Sequence, residues 1–130
     1  MHPTLTRYEI ELDMLERDRT LSNEQAVALL RSEFALALNA AHFSAVCGAD
    51  IAVAVASRTV PQEGVARYAV SLEFAERTPD LDDEQAAALL LGEFQRALNA
   101  SYFWRMCSDD FRVKVVSRVP VDTRRRLPTA

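Results

Sequence analysis

Two stretches decide how this chain is read: EQAVALLRSEFALALNA at residues 24–40 and EQAAALLLGEFQRALNA at residues 84–100. They stand sixty positions apart and are nearly the same sentence. In each, apolar residues recur at i, i+3, i+4 and i+7, the stripe of an amphipathic helix. Ala26, Leu29, Leu30, Phe34, Ala37 and Leu38 make the first stripe. Ser22 with Gln25, and Asp82 with Gln85, supply an N-cap and the residue that reaches back to it. Each stripe also holds a glutamate, Glu33 in one and Glu93 in the other. Turning by about 100° per residue, Glu33 falls between Leu29 and Ala26, inside the apolar arc.

The likeness extends outward from the helices. Shifted by 60, residues 7–58 align with 67–118 without a gap, with 25 identities in 52 positions. The pairs include Arg7/Arg67, Tyr8/Tyr68, Glu33/Glu93, Phe34/Phe94, Phe43/Phe103, Cys47/Cys107 and Ser57-Arg58/Ser117-Arg118. The chain is one unit written twice. Before each helix runs a strand of strict alternation: Tyr8, Ile10, Leu12 and Met14 on one side, Glu9, Glu11 and Asp13 on the other. Its copy uses Tyr68, Val70, Leu72 and Phe74. After each helix comes a second strand, with Ile51, Val53 and Val55 in one copy and Phe111, Val113 and Val115 in the other. TVPQEGVA at 59–66, with Pro61 and Gly64, joins the units and reads as a turn or a short loop.

Two βαβ units in tandem predict an α+β domain of ferredoxin-like β-α-β-β-α-β form: one four-stranded antiparallel sheet, strand order 4-1-3-2, both helices on one face. A single domain over 1–120 is expected, with repeats 7–58 and 67–118 and a basic flexible tail at 121–130 carrying Arg124, Arg125 and Arg126. The fold by itself implies no function.

Charge and composition narrow the classes. The net charge is −4, and residues 1–66 carry five Arg against nine acidic residues. The sheet face away from the helices collects Glu9, Glu11, Asp13, Glu73, Ser71 and Ala69, with Arg112, Lys114 and Val116 from the last strand and no aromatic residue. That argues against nucleic acid, because RNA-binding sheets present aromatic and basic residues there. No leader and no apolar run long enough to span a bilayer is read, so a cytoplasmic protein with no membrane partner is expected. Cys47 and Cys107 are too few for a disulfide scaffold, fall at opposite ends of the expected domain and read as buried thiols. No phosphate-binding loop, Cys-x-x-Cys pair or Ser-His-Asp set is found, so no catalytic residue, metal site or cofactor is expected.

Three features carry the functional expectation. Residues 50–57 form an edge strand with alternating Ala52, Ala54 and Ala56 and no charge after Asp50, an invitation to pairing. The segment after the helix diverges from AHFSAVC to SYFWRMC, gathering Tyr102, Trp104 and Arg105, the residue types of binding hot spots. Glu33 and Glu93, with the hydroxyls of Tyr8 and Tyr68 or nearby Arg as expected partners, read as carboxylates satisfied within the helix seam or as a close acid pair. The leading expectation is a non-enzymatic, self-associating protein-binding module that docks protein or a second copy through Tyr102, Trp104, Arg105, Ala52, Ala54, Ala56, Glu9, Glu11 and Asp13. A small inhibitor or accessory protein, such as a phage-encoded anti-defence protein, is one form of it. The alternatives are a small-ligand-sensing regulatory domain, or an enzyme of the dimeric α+β-barrel type using Glu33, Glu93 and His42.

Overall fold

The structure is a computed structural model and describes residues 5–40, 42–44 and 46–121, without the side chains of 47–50 and 108–110. Its elements are β1 (Leu5–Glu16), α1 (Asn23–Asn39), β2 (Cys47–Gln62), β3 (Val65–Glu76), α2 (Asp83–Asn99) and β4 (Cys107–Val121). They form one antiparallel four-stranded sheet in the order β2-β3-β1-β4, so the ferredoxin-like order read from the sequence is the observed one. The tail lies outside the described residues. Its expected first residue, Val121, instead ends β4 and pairs with Leu5.

Alternation builds the core. Tyr8, Ile10, Leu12 and Met14 of β1, and Tyr68, Val70, Leu72 and Phe74 of β3, are all buried beneath the helices, against Ala26, Leu30, Phe34, Ala37 and their copies in α2. Both helices start at a complete capping box: Ser22 accepts from the Gln25 amide while Gln25 reaches back, and Asp82 with Gln85 does the same. α1 packs over β2 and α2 over β4, so each helix lies above an edge strand.

The stretch 59–66 is less of a loop than expected. β2 runs to Gln62, β3 begins at Val65, and only Glu63 and Gly64 turn. Gly64 has φ +81°, in the left-handed region that side chains rarely adopt, so the turn favours glycine there.

Alternation also fails at an equivalent place in each copy. The ladder skips from Val55 to Ser57 in β2 and from Val115 to Ser117 in β4, leaving Ala56 and Val116 as bulge residues. The expectation that Ala56 and Val116 simply continue the open face is therefore corrected. The bulge has a purpose for its neighbours. It moves Ser57 opposite Ala69 and Arg58 opposite Tyr68, which swings Arg58 from the open face to the helix side. Arg118 moves in the same way, opposite Tyr8.

Candidate functional site

At each pole the relocated arginine closes a buried polar network. Arg118 Nη2 donates to both oxygens of Glu76 at 2.9 Å, and its Nη1 donates to the Leu81 carbonyl and to Asp83 Oδ1, also at 2.9 Å. Tyr8 donates to the other side of that carboxylate at 2.7 Å, and Thr6 at 2.8 Å. In the first copy Arg58 grips Glu16 with both side chains almost wholly buried, and reaches Asn23 at the start of α1. Burial, then the neighbouring Glu76, push the Tyr8 phenol well up from its ordinary range. Burial raises Tyr68 too, against the pull of Arg58. Burial works against the Arg118 charge, but Glu76 and Asp83 more than offset it. The tyrosine hydroxyls are thus taken by Glu76 and Arg58, and are not the partners of Glu33 and Glu93.

Those two glutamates sit at the helix seam. Four phenylalanines fill it: Phe34 meets Phe94 edge-on at 5.8 Å and Phe103 at 5.2 Å, and Phe43 meets Phe94 at 4.9 Å. Phe43 and Phe103 reach in from the turns after each helix, with φ of +68° and +69°. A bulky residue in that region costs about 1–3 kcal/mol, and ring burial offsets it. His42 and Tyr102, equivalent positions of the two copies, touch ring to ring at 4.8 Å, which places the pseudo-twofold axis between them. Glu33 and Glu93 are 3% and 2% exposed. Each has its own cation: Arg105 Nε donates to Glu33 at 2.9 Å, and Arg96 Nη1 to Glu93 at 3.0 Å. Arg105 comes from the second copy, so this bond ties the halves together. Among the described residues no three His, Cys, Asp or Glu are grouped to hold a metal ion.

The turn that buries Phe103 displays its neighbour. Trp104 is 52% exposed, backed by the Arg17 guanidinium at 5.7 Å from its ring. It does not close the core. Of the expected trio, Trp104 is exposed, Tyr102 is half-buried against His42, and Arg105 reaches solvent while held by Glu33.

On the open face, cross-strand ion pairs link β1 and β3. Arg67 donates to both oxygens of Asp13, at 2.9 and 3.1 Å, and lies 3.1 Å from Glu11. That hydrogen bonding holds the Asp13 carboxyl below its usual range, with Arg112 adding to the effect. Beside them opens a cleft of about 280 Å³ lined by Asp13, Arg67, Arg112, Pro61, Gln62 and Val65, among others. The equivalent Arg7–Glu73 pair is different: Glu73 is completely buried, and so is Ala52 beside it. Glu9 accepts from Ser71. The alanine row is therefore graded, with Ala52 buried, Ala54 half-buried and Ala56 exposed.

The two sheet edges are the same strand of the repeated unit, and they are finished differently. β4 carries Arg112 and Lys114 where β2 carries Ala52 and Ala54. From Ile51 to Ser57 the β2 edge holds no charge. β2 spans 16 residues, nearly three times the usual strand of about 5–6.

No protein-family model matches the chain, and no curated protein matches it. Two solved structures are loosely similar. One is a hydantoinase/carbamoylase family amidase from Burkholderia ambifaria, at 11% identity and TM-score 0.47, covering 91% of this chain and 29% of that one. The other is the de novo designed protein Foldit4, at 13% identity and TM-score 0.37, covering 87% of this chain and 97% of that one. The chain spans under a third of the amidase's length.

Sequence reading missed the polar networks at the poles. Their signal was present: Tyr8/Tyr68, Glu16/Glu76 and Arg58/Arg118 are identical between copies. No period-2 rule anticipates the bulge that brings the arginines inside.

Proposed function

We propose that the chain is a non-enzymatic protein-binding module that receives a partner's strand along the β2 edge. The observation that carries this is the difference between the two edges of one duplicated sheet. An edge strand offers unpaired N–H and C=O groups, and proteins guard such edges with charge. Here Arg112 and Lys114 guard one edge, while the equivalent Ala52 and Ala54 leave the other open. Ala52 is already buried within the chain, so the contact runs through the β2 backbone and the side chains of Ala54 and Ala56 more than through a flat alanine face. Trp104 and its Arg17 backing form a second exposed feature of the binding surface. An inhibitory or accessory role fits a small acidic domain of this kind.

A specific observation also favours small-ligand sensing as a second reading: the cleft beside Asp13, Arg67 and Arg112 has both charge signs and an apolar wall. No comparable observation favours the enzyme reading, because Glu33 and Glu93 are each engaged by an arginine.

The test is capture from an extract of the native host with the tagged chain and with Ala54→Lys, followed by cross-linking to locate the contact. Proteins held by the wild type and released by the variant, with cross-links falling on β2, are the expected result. Identical capture by both chains overturns the reading.

A further inference from the structure

We infer that the strand received at the β2 edge is β2 of a second copy of this chain, paired antiparallel about a twofold axis at Val53. The inference rests on the strand-addition reading and names its occupant. Irregularities in the β2–β3 ladder between Cys47 and Ile51 and between Val55 and Ser57 leave Ile51–Val55 as the longest regular stretch of β2. A twofold antiparallel pair confined to that ladder has one centred register. It sets Val53 opposite Val53 of the second copy, Ile51 opposite its Val55, and Ala52 opposite its Ala54. Directly opposed residues share a face. The β-branched side chains therefore continue across the seam on the helix side, and the alanines meet on the other. The alternation of β-branched residue and alanine from Ile51 to Val55 is the same in both directions, so the chain carries its own complement, and no charges are opposed.

Net charge does not forbid the contact. Glu9, Glu11 and Asp13 stand on β1, two strands inward from β2. At about 4.8 Å per strand they are roughly 12 Å from the seam, beyond the screening length of about 8 Å in physiological salt. α1 lies over β2, so the product is an eight-stranded sheet carrying four helices on one side, with the two α1 helices flanking the seam. The remaining edges are then both β4, with Arg112 and Lys114 as guards.

Sedimentation velocity across micromolar concentrations tests this. Wild type should sediment as a dimer. Ala54→Lys should raise the dissociation constant by a factor on the order of 100 or more, since it sets new like charges close across the seam. Its melting temperature should stay near that of the wild-type monomer, because Lys114 occupies the equivalent strand position already. Deuterium exchange on the wild type needs no variant: amides of Ile51–Val55 should slow as the concentration rises. A monomeric wild type, a variant that dimerises equally well, or concentration-independent exchange at these amides each overturns the second copy as occupant. Host proteins still released by Ala54→Lys would show the edge reading to stand without it.

Discussion

Replacing Arg105 with alanine removes the cation from a glutamate that has almost no exposure. Glu33 is 3% exposed and accepts from Arg105 Nε at 2.9 Å, while the Arg105 side chain is 62% exposed. The pair thus lies between two regimes. Fully solvated pairs contribute about 0–1 kcal/mol, and removing one partner of a fully buried pair costs about 3–5 kcal/mol. Truncating Arg105 lets some water reach the carboxylate, which places the expected cost near 1–2 kcal/mol. Glu33→Gln is gentler. It keeps the stem in the seam and an acceptor for Arg105, and the freed guanidinium is already in water, so its cost should be under about 1 kcal/mol. The double variant Glu33→Gln/Arg105→Ala leaves no uncompensated charge and should be more stable than Arg105→Ala alone. Urea denaturation at neutral pH measures all three, and with a slope of about 2 kcal/mol/M the midpoint for Arg105→Ala should fall by roughly 0.5–1 M. A silent Arg105→Ala, or a double variant weaker than the single, refutes the account of Glu33 as a seam carboxylate held across the repeats.

Two further outcomes follow from exposure and charge. Trp104→Ala should leave the melting temperature within a few degrees of wild type, because the ring is half in solvent, and should weaken any captured partner by about 2 kcal/mol or more if the ring anchors it; a large loss of stability in calorimetry would place the ring in the core instead. Asp13 has a folded pKa below its unfolded value of about 3.9, so the stability it contributes is present above that value and drains away as pH falls through the folded pKa; Asp13→Asn should flatten that acid limb in denaturation curves, and an unchanged limb would show that the Arg67 contact has no energetic effect.

How much was legible follows from where each residue's constraint originates. Helices, caps, strand order and core were readable because period and repeat are local facts: the stripe of Ala26 to Leu38 and the alternation of Tyr8 to Met14 leave little choice of face. Trp104 could not be placed that way. Its exposure is set by the positive φ of Phe103, and that follows from the need to wedge a second ring between two helices. The partner of Glu33 was out of reach for a similar reason, since Arg105 is 72 residues away and belongs to the other copy. The bulges at Ala56 and Val116 show the limit most sharply. A one-residue insertion reverses the facing of everything beyond it, so the arginine that strict alternation assigns to the open face in each copy becomes the clamp on Glu16 and Glu76. Duplication is what would have exposed the error. Two copies that have diverged at half their positions kept Tyr, Glu and Arg together, and polar residues retained in both copies of one fold point to a shared internal contact. The same comparison run in reverse marks the β2 edge: Ala52 and Ala54 stand where the other copy has Arg112 and Lys114.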